Sequence, residues 1–274
     1  MSFLKILTSK FTFAATLLAA LPATAHEFWI SPVEYQVSAG TTLLADIRVG
    51  QGFEGSAFPY VPGNFTRFDL VRGDDVIPVE GRAGDRPALN MAAEGEGLAV
   101  VVHVTRDYSL TYPKWETFVG FTEHKDITWA QERHLERGLT KQSVKELYTR
   151  FAKSLIGIGD AKGADREVGL RTEIVAETNP YTDNLLDGFA VRVLYEGKPR
   201  ADVQVELFDK APGEAKGVST YHRTNDQGQV ILPVEAGHEY LVDSVVFNEL
   251  DPTTHDGYAW ESLWASLTFK APVP

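Results

Sequence analysis

The chain has 274 residues with a formal net charge of −12, and 43% of it is hydrophobic against 23% charged. That balance belongs to a folded globular protein and excludes disordered and fibrous classes, while the acid excess argues against nucleic acid and anionic membrane surfaces as partners. Cysteine is absent, which excludes disulfides, thiolate metal sites and cysteine nucleophiles.

Residues 1–25 read as a secretory signal. Lys5 and Lys10 make a positive start, residues 11–21 form an apolar run, and Ala23-Thr24-Ala25 supplies a small-x-small cleavage pattern. Such a run rises about 16 Å as a helix, roughly half of the ~30 Å hydrocarbon core, so it is a poor transmembrane span. The expectation is a periplasmic protein with no stable membrane insertion after cleavage. Cleavage after Ala25 makes His26 the first residue. Its free amine and its imidazole Nδ1 would close a six-membered chelate ring on one metal ion, a nitrogen pair suited to nickel(II) or copper(II).

Residues 26–111 read as an N-terminal β domain. His26, Phe28 and Ile30 share one face of the first strand, with Glu27 and Trp29 on the other. Further β-rich runs cover 42–49, 66–71, 76–80 and 98–105, separated by glycine-containing turns. His103 lies in the last of these, facing opposite to Val102 and Val104. It is the best second ligand for a terminal chelate, an arrangement that strands 26–30 and 98–105 in one sheet would allow. Residues 112–157 read as a helical segment, with stretches at 114–124, 127–137 and 142–156. In the last, Val144, Leu147, Tyr148, Phe151 and Leu155 recur at helical spacing. Residues 158–169, rich in glycine and charge, read as a mobile linker. Residues 170–274 read as a C-terminal β-sandwich with strands near 171–176, 189–195, 203–208, 218–223, 229–233, 240–247 and 263–270. The fold expected is mainly β: two β-sandwich (Ig-like or transthyretin-like) regions with a small helical insertion between them.

Among the remaining histidines, His124 follows Glu123 at a helix end and His222 lies on a strand that could line an interdomain groove; both are weaker ligand candidates. His124 and His134 are ten residues apart, which misses the i, i+4 spacing of helical metal sites. His238 and His255 fall in turns. The chain carries no G-x-S-x-G, no H-E-x-x-H and no nucleotide fingerprint, so no catalytic residues and no enzymatic activity are expected. Two other readings stay open. One is a metal-free carbohydrate- or protein-binding module using Phe53, Phe58 and Tyr60, or the Trp260/Trp264 region. The other is a copper oxygenase built on a histidine brace of His26 and a second histidine.

Five segments carry a family resemblance: 26–30 (HEFWI), 148–153 (YTRFAK), 195–199 (YEGKP), 224–228 (TNDQG) and 260–269 (WESLWASLTF). Together they resemble a family of exported bacterial proteins grouped as a domain of unknown function and often assigned to nickel or cobalt uptake. The C-terminal part is also similar to transthyretin-like and carboxypeptidase-regulatory-like sandwiches. The resemblance implies a periplasmic location, a two-part β-rich structure and a transition-metal role. The combined expectation is a non-enzymatic protein that binds nickel, cobalt or copper as cargo. His26 is its anchor, His103 the best second ligand, His124 or His222 further ones, and an inner-membrane metal transporter the recipient.

Overall fold

The computed structural model describes residues 26–273, so the expected signal at 1–25 lies outside the described residues. In chain order the first strands are β1 (Glu27–Pro32), β2 (Gln36–Val37), β3 (Thr42–Gln51), β4 (Glu54–Phe58), β5 (Phe65–Arg72), β6 (Asp75–Pro78), β7 (Leu89–Ala92), β8 (Gly97–Thr105) and β9 (Tyr108–Tyr112). Two helices follow, α1 (Trp115–His124) and α2 (Trp129–Glu136), and then the long strand β10 (Val144–Ile158). The C-terminal strands are β11 (Thr172–Ala176), β12 (Phe189–Tyr195), β13 (Lys198–Pro199), β14 (Gln204–Lys210), β15 (Val218–Arg223), β16 (Gln229–Leu232), β17 (Glu239–Glu249) and β18 (Trp260–Lys270).

One large sheet runs β15-β14-β17-β18-β10-β8-β5-β6, with β2 and β9 also pairing with β10. A smaller sheet joins β1, β3, β4 and β7, and a third joins β11, β12, β13 and β16. The protein is therefore mainly β, as expected, and its two sandwiches share the large sheet as a middle layer. Strand β8 shows how. Val100, Val102 and Val104 pack into the core beneath the third sheet, with Ile174, Phe189 and Leu267. Ala99 and Val101 pack on the opposite side with Phe28, Ile30 and Leu43 of the N-terminal sheet. The helices cover the rest of that second side, where Phe118 and Phe121 meet Phe247, Trp260 and Trp264. Both faces of the central strands are thus removed from water, the dominant favourable term in such layered folds, while the edge strands β15 and β6 stay largely exposed.

Helices α1 and α2 match the first two helical stretches, and Gly138 at φ 67° ends the second with its N–H on the Leu135 carbonyl. The third stretch, 142–156, is corrected: it is β10, the central strand, parallel to β18 and antiparallel to β8 and β9. A strand buried on both faces loses its period-two pattern, so its apolar residues imitate helical spacing. Gly157 lies within this strand, where a Cβ would lie 2.8 Å from that of Ala161 and 3.1 Å from the Tyr181 ring. Residues 158–169 are corrected as well, because the segment is pinned rather than mobile. The Lys162 carbonyl accepts from the Leu98 N–H at 2.8 Å, Asn179 donates to the Ala161 and Gly163 carbonyls, and Asp165 is buried against Lys153.

Candidate functional site

Strands β1 and β8 belong to different sheets and face each other across the N-terminal sandwich, which corrects the one-sheet arrangement. The alternation of β1 turns Phe28 inward, and its ring centroid lies 5.2 Å from that of His103. Phe65 and Phe68 close around the same imidazole at 5.3 and 5.0 Å. His103 is 3% exposed, and its Nδ1 is buried without a hydrogen-bond partner. Burial pulls its pKa down to about 3, so the ring is neutral at physiological pH. A cavity of about 510 Å³ opens beside it, lined by His26, Phe28, Phe65, His103, Tyr108 and Arg150 among others. His26 itself is exposed where β1 begins.

A second cavity, of about 260 Å³, lies on the other side of His26, where β9 and β10 meet α1. Glu146, Tyr112, Tyr148, Arg150 and Trp264 help to line it. Glu146 is 1% exposed and accepts hydrogen bonds from the Tyr112 hydroxyl at 2.7 Å and from Ser262 Oγ. Trp264 Nε1 in turn donates to Ser262 Oγ at 2.8 Å. Desolvation pushes the Glu146 carboxyl from 4.5 up to about 7, against the opposing pull of those two hydroxyls. A carboxyl with a raised folded pKa binds its proton more tightly in the native state, so stability falls as pH rises from about 4.5 through about 7. Glu146→Gln keeps the shape and an acceptor oxygen without the charge. It should flatten this slope, measured as urea midpoints at about pH 5 and about pH 8, and leave the variant more stable than wild type at the higher pH. An unchanged slope would show that Glu146 does not titrate there.

Arg150 and Tyr148 separate the two cavities. The Arg150 Nη2 donates to the His26 carbonyl at 3.1 Å, and its guanidinium lies 4.8 Å from the Tyr148 ring and 5.7 Å from the Phe28 ring. Tyr108 stacks on Tyr148 at 5.6 Å, and Arg106 lies 4.8 Å over Tyr108. Glu146, Tyr148 and Arg150 come from one face of β10. Reading 142–156 as a helix hid them; period two over the same residues places all three together.

The other histidines lie elsewhere. His124 Nε2 pairs with Glu206 at 3.2 Å, in a buried cluster with Lys125 and Asp243, and lines neither cavity. His222 sits on the edge strand β15 with its Nε2 2.9 Å from Thr220 Oγ1. Neither lines the cavity that His26 and His103 share: His124 ends α1 and is held against Glu206 of β14, and His222 is held on the edge strand β15. His134 is buried, takes the Trp260 Nε1–H on Nδ1 at 3.0 Å and donates from Nε2 to the Thr140 carbonyl at 2.9 Å, a structural role. Among the described residues no group of three or more His, Cys, Asp or Glu is arranged to hold a metal ion.

The aromatic contact surface is corrected too. Phe53 and Tyr60 are buried, as are Trp260 and Trp264, and only Phe58 of these is exposed. Phe53 turns inward onto Trp29, ring centroids 5.4 Å apart, because the hydrophobic gain outweighs its positive φ of 59°. No helix among the described residues is long and apolar enough to cross a membrane.

A family model described as a domain of unknown function (DUF4198) matches residues 23–246. No curated protein matches the sequence. Among solved structures, the fibronectin(III)-like modules of Clostridium thermocellum CbhA align over 88% of this chain and 94% of that chain, with 9% identity and a TM-score of 0.18. Similarity at that level carries no argument about fold or function.

Proposed function

The chain belongs to the DUF4198 family, and with that as the premise we propose that it is a periplasmic carrier of a divalent transition metal, nickel, cobalt or copper. It binds the ion through His26 and His103 once the signal has been removed, and hands it to an inner-membrane transporter. One observation carries this reading: His26 and His103 line the same cavity, and the His103 imidazole is buried with no hydrogen-bond partner at Nδ1. Desolvating a polar ring without a partner costs free energy, of order 1–3 kcal/mol, that a bound ion would offset. The terminal amine adds a chelate ring and must lose its proton on binding, so affinity should rise with pH up to about 8.

Calorimetric titration of nickel(II) into the protein beginning at His26 is the test. Acetylating the terminus, or adding one residue before His26, should weaken binding by about a hundredfold, and His103→Ala by roughly tenfold or more. His124→Ala and His222→Ala should leave it unchanged. Equal affinity with and without a free terminal amine overturns the reading.

A further inference from the structure

We infer that the larger cavity binds a small organic anion, an aromatic carboxylate whose charge is met by Arg106 and Arg150 and whose ring lies against Phe58 and Phe65. The inference does not rest on the metal reading, and its test contains no metal.

Charge is the first argument. The residues lining this cavity include Arg106 and Arg150 and no aspartate or glutamate. The chain has 38 acidic against 26 basic residues, yet neither arginine has a carboxylate within salt-bridge distance among the described residues. Arg150 Nε is buried with no hydrogen-bond partner. Desolvation holds the Arg150 guanidinium below its ordinary pKa, so the charge lacks the compensation that a buried cation normally finds. A carboxylate in the cavity would supply both the charge and the acceptor.

Arrangement is the second argument. Arg106 lies 4.8 Å over the Tyr108 ring, Tyr108 stacks on Tyr148 at 5.6 Å, and Arg150 lies 4.8 Å from Tyr148. The cross-strand pairing of Tyr108 with Tyr148 between β9 and β10 sets this ladder of rings and guanidinium groups. Stacking covers the face of a guanidinium and leaves its edge, where the N–H donors lie, for an oxyanion. The third argument is the rest of the lining, which is largely apolar and includes Ile47, Val49, Phe58, Val61 and Phe65. Phe58 is 47% exposed, apolar surface that the ring of a ligand would take out of water. A volume of about 510 Å³ falls in the range of cavities that hold small organic ligands. An inorganic anion would meet the arginines and leave these apolar side chains uncovered.

Calorimetric titration of cinnamate into protein that begins at His26, freed of metal on a chelating resin, tests this. Cinnamate should bind one per chain with a Kd of about 100 μM or tighter. Cinnamamide, with the same body and no charge, should bind about tenfold more weakly or worse. Inorganic phosphate, with charge and no apolar body, should fall behind by a similar factor. Arg106→Gln, at an exposed position where folding is not at stake, should weaken cinnamate by about tenfold and leave cinnamamide unchanged. No binding of cinnamate overturns the inference, as does equal affinity for cinnamate and cinnamamide or equal affinity of variant and wild type for cinnamate. Phosphate bound as tightly as cinnamate overturns the aromatic ligand as well. All four outcomes leave the metal reading, tested with nickel(II), where it stands.

Discussion

Replacing Lys153 by methionine is expected to destabilise the protein by about 3–5 kcal/mol, the usual cost of stranding a buried charge. Lys153 is 1% exposed, on the face of β10 that meets the third sheet. Its Nζ donates to Asp165 at 2.8 Å, to Glu173 at 3.0 Å and to the Arg166 carbonyl at 3.2 Å. Both carboxylates also cap backbone: Asp165 accepts from the N–H groups of Ala176 and Arg166, and Glu173 from those of Val168 and Leu170. One ammonium therefore fixes the whole crossing from β10 to β11. Desolvation holds the Asp165 carboxyl above its ordinary range even with Lys153 in place, so removing the cation leaves two buried carboxylates with no compensating charge. Urea unfolding should show the loss, and the midpoint of thermal unfolding should fall by roughly 6–20 °C. The triple variant Lys153→Met, Asp165→Asn, Glu173→Gln should recover part of it, because no unpaired charge remains. A change below about 1 kcal/mol, as for an exposed ion pair, would mean that 158–169 behaves as a mobile linker after all.

Lys125→Met should cost a similar amount but with a distinct pH signature. Lys125 Nζ lies 2.7 Å from Glu206 and 2.8 Å from Asp243, and 5.0 Å from the centroid of the Trp264 ring. Glu27 shares this pocket; desolvation and then the Asp243 charge push its carboxyl from 4.5 up to about 7. Raised carboxyl values mean that the native state binds protons more tightly than the unfolded chain, so protonation at lower pH stabilises it. Without the ammonium these values rise further. The deficit of Lys125→Met should therefore be largest near pH 8 and shrink toward pH 5, measured as urea midpoints against wild type at each pH. A deficit independent of pH would indicate lost packing alone.

The two lysines show why part of this structure was legible beforehand and part was not. Lys153 sits in the segment 148–153 that carried the family resemblance, yet of its acidic partners Asp165 lies 12 residues away in a stretch whose glycines and charges suggested mobility, and Glu173 lies 20 away on the next strand. Composition cannot tell a solvated acid from one buried on a lysine. The N-terminal strand was read with its faces correctly assigned, since period-two alternation survives where one side meets aromatic core and the other meets a different layer. The longer β10 was misread because its apolar residues Val144, Leu147, Tyr148, Phe151 and Leu155 also fit helical spacing, and with it went Glu146, Tyr148 and Arg150.

Local sequence by itself determined the strand and turn density of the mainly β fold, both short helices, and the face on which His26 and Phe28 lie. Each of these depends on neighbours a few residues apart, where backbone geometry dictates the answer. Only the tertiary structure decided that β1 and β8 oppose each other across a sandwich, that one sheet serves both halves, and that His124 and His222 are held elsewhere. Those outcomes follow from which apolar faces cover one another. That is a long-range sum of burial energies between segments as far apart as Ile30 and Thr268, whose side chain donates to the Ile30 carbonyl at 2.7 Å.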